Sequence, residues 1–232
     1  FAHNLATMAP APCFPLETCM ARRTKEEAFE TRESILDAAE QCFHKKGVSR
    51  TSLSDIAQAA GVTRGAIYWH FQDKADLLEA LFQRIQLPLA SLNQAARDAS
   101  APNPLERFRE LLVTVLKRLE SDPSSRRVNE ILLLKCDYID EPCTQKKHLQ
   151  TMNRHHDDNL RTSLMLAIAS GELPADLDID MALFCAHSFI YGVLHQWLMQ
   201  PQQLSLVERA DDIAATLLDM LRNSPHLRSR SV

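Results

Sequence analysis

The 232-residue sequence is poor in glycine, poor in strand-like stretches and without an excess of positive charge. It has only five glycines, and alternating Val, Ile, Thr and aromatic residues are scarce, which argues against a fold built on sheets. The formal net charge is −4, so the overall charge does not indicate a nucleic-acid partner. A nucleic-acid site would therefore have to be identified from the placement of individual residues.

The common signatures of enzymes and metal sites are missing as well. The sequence has no G-x-S-x-G, G-x-x-x-x-G-K-[ST], G-x-G-x-x-G or H-E-x-x-H motif. None of the six cysteines forms a C-x-x-C pair, and Cys42 and Cys185 lie in apolar helical stretches, as free cysteines of reduced proteins do. We therefore expect no enzyme activity, no cofactor and no metal site, and we expect a cytoplasmic location.

The sequence also lacks a convincing membrane segment. No basic region followed by a long apolar run occurs near the N-terminus. Residues 181–199 contain no Asp, Glu, Lys or Arg and have about the length of a membrane span. His187, His195, Gln196 and Trp197 nevertheless make this stretch too polar for a lone span. We expect a helix buried between other helices or at a subunit interface, and no membrane contact.

The remaining pattern predicts an all-α protein of about nine helices in two parts. Residues 1–19 are rich in proline and alanine and begin with Phe1, so they are interpreted as a disordered extension or a tag. Residues 20–87 would form a three-helix head with a linking fourth helix, and residues 88–232 an all-helical body.

Apolar spacing and capping residues set the expected helix limits. Asp73 and Asp180 are expected to cap the starts of two helices, Pro88 to interrupt the linking helix, and Gly171 to end another. The predicted helices cover residues 25–46, 52–60, 63–69, 73–87, 105–119, 124–138, 142–170, 180–200 and 206–221.

Residues 51–71 carry the most informative pattern. Two short helices joined by a turn at Gly61 predict a helix-turn-helix, whose second helix can lie in the major groove of DNA. Arg64 can reach the O6 and N7 atoms of a guanine. Gly65 and Ala66 are small enough to let the backbone approach DNA closely. A purely structural hairpin is the alternative, but it gives no reason to accept the roughly 1 kcal/mol that a helical glycine costs.

Further residues around this motif suit contacts to the DNA backbone. Tyr68, Trp69 and His70 can pack on sugars and bind phosphate oxygens. Helix N-termini and a nearby amine offer additional donors for phosphates. The DNA-binding residues predicted from the pattern are Thr51, Ser52, Thr63, Arg64, Gly65, Ala66, Tyr68, Trp69, His70 and Lys74.

The run of residues 51–71 resembles the signature of the TetR family of bacterial repressors, including its ending Tyr68-Trp69-His70-Phe71-x-x-Lys74. Residues 21–32 are similar to the AcrR-type subgroup, which represses multidrug efflux pumps. This resemblance adds Arg22 to the DNA-binding residues. Weaker similarity continues into the body at residues 129–132, 173–174 and 218–221.

The resemblance implies a ligand-responsive repressor of an efflux pump operon. It implies a homodimer through a four-helix bundle formed by residues 180–200 and 206–222 with their symmetry mates, on palindromic double-stranded operator DNA. A small amphipathic or apolar inducer would bind in the body and release the operator, with residues 74–87 as the connecting lever. A regulator of lipid or aromatic metabolism, or a helical module that no longer binds DNA, remains an alternative.

Polar residues in the apolar body helices indicate where such a ligand would bind. Asn129 lies in an otherwise apolar helix and needs a partner, and the resemblance favours a ligand. Leu133 stands where related pump repressors often have a polar residue, which suggests a more apolar ligand. His187 and Tyr191 are assigned to the pocket, whereas His195 and Trp197 are assigned to the interface. The predicted ligand-binding residues are Leu111, Val115, Asn129, Leu133, His156, Leu160, His187 and Tyr191.

Overall fold

The computed structural model describes residues 16–100, 102–136 and 158–229 of the chain. These parts are helical and contain no strand, apart from one isolated bridge between Leu177 and Arg228. The all-α prediction is therefore confirmed. No helix in the described ranges combines the length and the apolar character that crossing a bilayer requires.

Four helices form the head: α1 (Leu16–Lys46), α2 (Leu53–Ala60), α3 (Arg64–His70) and α4 (Lys74–Gln86). Helix α1 begins before the predicted residue 25 and so includes the last part of the segment assigned to the N-terminal extension. The other three helices lie where the sequence pattern placed them.

Local hydrogen bonds explain the sharp ends of the helices around the turn. Ser52 and Asp55 form a reciprocal capping box at the start of α2, in which each side chain accepts from the other residue's backbone N–H. Gly61 ends α2 in the left-handed conformation, with φ 67°, which glycine adopts without steric cost. Thr63 then caps α3 by accepting from the Ala66 N–H at 3.2 Å, and Asp73 caps α4 as predicted.

Six helical segments follow in the body. A 3-10 turn at Leu87–Leu89 contains Pro88 and ends the linking helix, as expected. The sequence pattern did not predict the short helix that follows this turn. The body segments are α5 (Ala90–Ala95), α6 (Pro104–Ser121), α7 (Pro123–Leu134), α8 (residues 158–169), α9 (Ile179–Met199) and α10 (Leu206–Asn223).

Two predicted limits in the body were wrong for identifiable reasons. Helix α7 ends at Leu134 and not at residue 138, because Lys135 leaves the helical conformation and its carbonyl accepts from the Val48 N–H at 3.2 Å. The cap of α9 is Asp178, whose carboxylate accepts from the Met181 N–H at 3.1 Å. The predicted cap, Asp180, lies in the first turn and pairs instead with Arg161. The predicted start of α8 at residue 142 lies outside the described residues.

The apolar side chains form two separate cores, one in the head and one in the body. The body core is built from α6, α8, α9 and α10. The head core contains side chains of α1 to α4, but it is completed by Val128, Ile131 and Leu132 of α7. Helix α7 is thus covalently part of the body and packs as part of the head.

A buried carboxylate reinforces this contact between head and body. Glu40 of α1 is only 4% exposed. Its two oxygens lie 2.6 Å from Arg84 Nη2 of α4 and 2.5 Å from Arg127 Nε of α7, and they also accept from the hydroxyl of Ser124. Three helices therefore meet at one charge, which two guanidinium groups compensate.

A second polar contact joins the ends of α1 and α7. Glu130 Oε2 lies 2.5 Å from His44 Nε2, and Arg126 lies 3.1 Å from the other carboxylate oxygen. Partial burial raises the pKa of Glu130, but the hydrogen bonds from His44 and Arg126 outweigh it and hold the pKa below its ordinary value. The contact therefore stabilises the fold above the carboxylate's ordinary pKa and is lost as the pH falls through the lowered one.

Replacing Glu40 tests how much the fold depends on the buried carboxylate. We expect Glu40→Gln to lower the free energy of unfolding by about 2–3 kcal/mol, because both arginines lose their buried negative partner and one of them then faces an amide NH2 group. Asp37→Asn is the matched control, since Asp37 pairs with the same Arg84 but its side chain is 65% exposed; its effect should stay below about 1 kcal/mol. Urea unfolding followed by circular dichroism measures both. Equal effects of the two variants would contradict the role given to Glu40.

Candidate DNA-binding surface and ligand cavity

Helix α3 presents large side chains to solvent that its packing does not require. Ile67 is fully buried and holds the helix against the head core. On the outer face Tyr68 is 49% exposed and Trp69 is 73% exposed. Two aromatic rings left in water on a seven-residue helix are typical of a surface that a partner covers.

Arg64 and Tyr68 lie one turn apart on this face and contact each other. Arg64 Nη2 donates to the Tyr68 hydroxyl at 3.2 Å, and the guanidinium lies 5.6 Å from the centre of the tyrosine ring. Both side chains are exposed, so their contact is worth little in stability. The contact with Tyr68 nevertheless orients the guanidinium group of Arg64 at the start of α3, the position from which it is predicted to reach a base edge.

The protein itself gives no reason for a glycine at position 65. A Cβ atom built on Gly65 would meet nothing closer than Thr63 Oγ1 at 3.9 Å, which is an ordinary contact distance. Gly65 and its neighbour Ala66 lie beside Arg64 at the exposed N-terminal end of α3. The free space around Gly65 fits the prediction that DNA, and not the protein, requires a small residue there.

Two residues predicted to bind phosphates make structural contacts within the chain. Thr51 is 1% exposed, and its hydroxyl donates to the Gly47 carbonyl at 2.7 Å, so its side chain faces inward. The Lys74 amine donates to the Val48 carbonyl at 3.1 Å and fixes the start of α4 against the loop after α1. Ser52 remains exposed at the N-terminus of α2, but its hydroxyl and its backbone N–H both donate to Asp55 within the capping box.

The surroundings of His70 favour its neutral form when no DNA is bound. Its ring packs edge-on against Trp69, with the ring centres 4.5 Å apart. Partial burial, followed by the positive charge of Arg32, lowers the pKa of His70 below its ordinary value. A phosphate beside the ring would act in the opposite direction and favour the protonated imidazole. The side chain of Arg22 lies outside the described residues.

A cavity of about 930 Å³ lies in the body between α4, α6, α7, α8 and α9. The volume suits a drug-sized molecule. It brings together seven of the eight predicted ligand-binding residues, whereas His156 lies outside the described residues. The predicted residues that line the cavity are Leu111, Val115, Asn129, Leu133, Leu160, His187 and Tyr191.

Asn129 already has a partner inside its own helix. Its amide nitrogen donates to the Ser125 carbonyl at 2.8 Å, which fixes the orientation of the side chain at the cavity wall. The expected need for a partner is thus met in part by the backbone. Leu132 and Leu133 extend the same wall with apolar side chains.

Comparison with known proteins places this architecture in a family. Residues 35–81 match the model described as "Bacterial regulatory proteins, tetR family". Residues 103–223 match "MAATS-type transcriptional repressor, C-terminal region". The chain belongs to the TetR family.

Individual relatives agree with this assignment over nearly the whole length of the TetR-family chain. The transcriptional regulator TtgR of Pseudomonas putida is 41% identical over 209 residues, which cover 90% of this chain and all of TtgR. The crystal structure of NalD, secondary repressor of the MexAB-OprM multidrug efflux pump in Pseudomonas aeruginosa, has a TM-score of 0.72 at 30% identity and covers 86% of this chain and 99% of NalD. A complex of SmeT with triclosan has a TM-score of 0.71 at 30% identity, covering 88% of this chain and 97% of SmeT.

In α9 of this TetR-family protein the structure extends the assignment of His195 and corrects that of Trp197. His195, expected at the subunit interface, also lines the cavity. Trp197 is 5% exposed, and its indole N–H donates to the Leu204 carbonyl at 2.9 Å. The guanidinium of Arg126 lies 5.1 Å from the centre of its ring. Trp197 is therefore a core residue of the chain itself.

The sequence interpretation missed the part of the cavity wall contributed by α4, by α5 and the turn after it, and by Asn159 of α8. Helix α4 was predicted as the lever between cavity and head, but none of its residues was assigned to the wall, and α5 was not predicted at all. The cavity-lining residues that were missed include Phe82, Ile85, Gln86, Asn93, Arg97 and Asn159. The amphipathic pattern of α4 shows which face of the helix is buried. It does not show that this face contacts both the head core and the cavity.

Replacing Gly65 with alanine separates folding from DNA binding. We expect Gly65→Ala to leave the free energy of unfolding unchanged or to raise it by up to about 1 kcal/mol, because alanine favours the helix and has room. The same variant should bind operator DNA more weakly. Thermal unfolding and fluorescence anisotropy on labelled operator check the two expectations. A stable variant with unaltered DNA affinity would remove Gly65 from the DNA contact.

Proposed function

We propose that this TetR-family protein is a cytoplasmic, non-enzymatic repressor of a multidrug efflux operon. It binds a palindromic operator as a homodimer and leaves the operator when a small apolar or amphipathic compound enters the body cavity. The observation that carries this proposal is that the same side chains belong to the head core and to the cavity wall.

Ile85 of α4 and Leu132 of α7 are the side chains in this double position. Each is nearly buried, packs in the head core and lines the cavity. A ligand that shifts either side chain must disturb the packing of the head. Close-packed cores have few alternative arrangements, so a bound ligand favours a different orientation of the head. The coupling free energy is the difference in ligand affinity between this orientation and the one that binds the operator. The coupling thus uses α7 as well as the predicted lever, α4.

The proposed link to efflux pumps rests on the relatives. NalD is a secondary repressor of the MexAB-OprM multidrug efflux pump, and SmeT is the repressor of the Stenotrophomonas maltophilia multidrug efflux pump SmeDEF. The cavity of this chain has the size and the largely apolar wall expected for a receptor of small apolar compounds. A regulator of lipid or aromatic metabolism would need a cavity of similar size and polarity. The identity of the compound that binds therefore distinguishes an efflux repressor from a metabolic regulator.

The exposed face of α9 supports the proposed dimer. Met181, Phe184 and Met199 recur at helical spacing on this face, and Phe184 is 69% exposed. Val207 at the start of α10 adds a further exposed apolar side chain. Such a stripe is unfavourable in water and is typical of a surface that a second copy covers.

Fluorescence anisotropy on the intergenic DNA beside the protein's own gene tests the function. At fixed, near-physiological salt we expect tight binding that scrambled DNA does not compete. Triclosan and other pump substrates should reverse it, whereas fatty-acyl compounds should not. Reversal by fatty-acyl compounds alone would support the metabolic alternative. Binding no tighter than to scrambled DNA, followed by failure to select any operator from random sequences, would reject the repressor function.

Filling the cavity should block induction while preserving repression. Leu111 lines the cavity from α6, so Leu111→Trp is expected to raise the inducer concentration needed for release at least about tenfold. Operator affinity without ligand should stay unchanged. Glu110→Trp is the matched control, because Glu110 is exposed on the same helix and does not line the cavity. Equal inducer sensitivity of both variants and the wild type would place the inducer elsewhere.

A further inference from the structure

The charged groups around the cavity are all of one sign. Among the described residues that line it, the charged side chains are Arg97 and Arg118, and no aspartate or glutamate is present. The other polar groups of the wall are amides, hydroxyls and two histidines, which can donate hydrogen bonds. The described part of the wall therefore presents two guanidinium groups and no carboxylate to a ligand.

Arg118 is compensated by a neighbouring carboxylate. Its Nη2 lies 2.5 Å from Asp122, which also caps α7 through the backbone N–H groups of Ser124 and Ser125. Its Nε is buried and has no acceptor among the described residues. Asp122 thus balances the charge of Arg118, while Arg118 Nε retains an unused hydrogen-bond donor.

Arg97 is uncompensated in the described part of the chain. Its Nε donates to the Asn93 carbonyl at 3.2 Å, and its Nη1 donates to Asn159 Oδ1 at 2.9 Å. Both partners are neutral and also line the cavity. The nearest acid in sequence, Asp98, accepts instead from Ser100. Because Arg97 is exposed yet lines the cavity, its charge lies at an opening of the cavity.

Two neutral asparagines thus hold the guanidinium of Arg97 in place without cancelling its charge. A planar, oriented guanidinium with spare donors is suited to an anionic oxygen, which it can bind through two parallel hydrogen bonds. A cationic ligand in the same place would meet repulsion from Arg97 and would find no carboxylate among the described wall residues.

We infer that the cavity selects apolar compounds that carry an anionic oxygen, such as aromatic carboxylates or phenolates, and discriminates against cationic compounds. The anionic group binds at Arg97, and the apolar body of the ligand lies deeper, against Leu111, Leu132 and Leu160. The inference rests on the proposed function and names the ligand class that the proposed inducer site accepts.

A matched pair of ligands tests the inference on the full-length protein without DNA. The probes are 2-naphthoate and 2-naphthylmethylammonium, which share one ring system and differ in charge. Isothermal titration calorimetry at neutral pH should give a dissociation constant for the anion at least about tenfold lower than for the cation, a difference of about 1.4 kcal/mol. Equal affinities, tighter binding of the cation, or no naphthoate binding up to millimolar concentration would overturn the inference.

Variants at Arg97 show whether this residue supplies the preference. Arg97→Gln should weaken naphthoate binding about tenfold and leave the cation affected little, and Arg97→Glu should reverse the order of the two ligands. Arg161→Gln is the control, because Arg161 is an exposed arginine of α8 that pairs with Asp180 and does not line the cavity. A preference that survives in both Arg97 variants would overturn the assignment to Arg97.

The test separates this inference from the proposed function. Because the titration contains no DNA, a missing charge preference leaves the result of the operator assay unaffected. Conversely, a protein that fails to bind an operator can still show the preference for the anion. Equal unfolding temperatures of wild type and variants establish that an altered affinity reflects the ligand site and not loss of fold.

Discussion

The packing of α7 against α1 and α4 is the contact on which the rest of this structure depends. Helix α7 supplies Val128, Ile131 and Leu132 to the head core. Asn129, Leu132 and Leu133 of the same helix form one wall of the body cavity. Without α7 the head would lack part of its apolar interior. The head therefore cannot change its orientation without changing the cavity, and this mechanical link is what a ligand-controlled DNA-binding protein requires.

Charge pairing makes this contact specific as well as apolar. Glu40 draws Arg84 and Arg127 onto one buried carboxylate, and the pair of His44 and Glu130 fixes the opposite end of the interface. Hydrophobic contact alone tolerates sliding of one helix along another. Directional hydrogen bonds to a buried charge do not, so the head has a defined position relative to the body.

Several features could be read from local sequence because their causes are local. The helix-turn-helix follows from the capping box at Ser52, the left-handed turn at Gly61 and the cap at Thr63, all of which involve neighbouring residues. Errors arose where a tertiary contact overrode the local pattern. Helix α7 stops early because the Lys135 carbonyl accepts from the distant Val48 N–H. Thr51 differs, because its hydroxyl is turned inward by a local bond to the Gly47 carbonyl that the motif did not reveal.

The sequence by itself determined the helical class, the DNA-binding motif and part of the cavity wall, because periodic spacing marks which side of each helix is buried. Only the tertiary structure decided what those buried sides face. It placed Ile85 between core and cavity, buried Trp197 in its own chain and brought Arg97 beside Asn159 across 62 residues of sequence. Periodicity specifies a buried face, but the neighbour across that face depends on how distant segments pack.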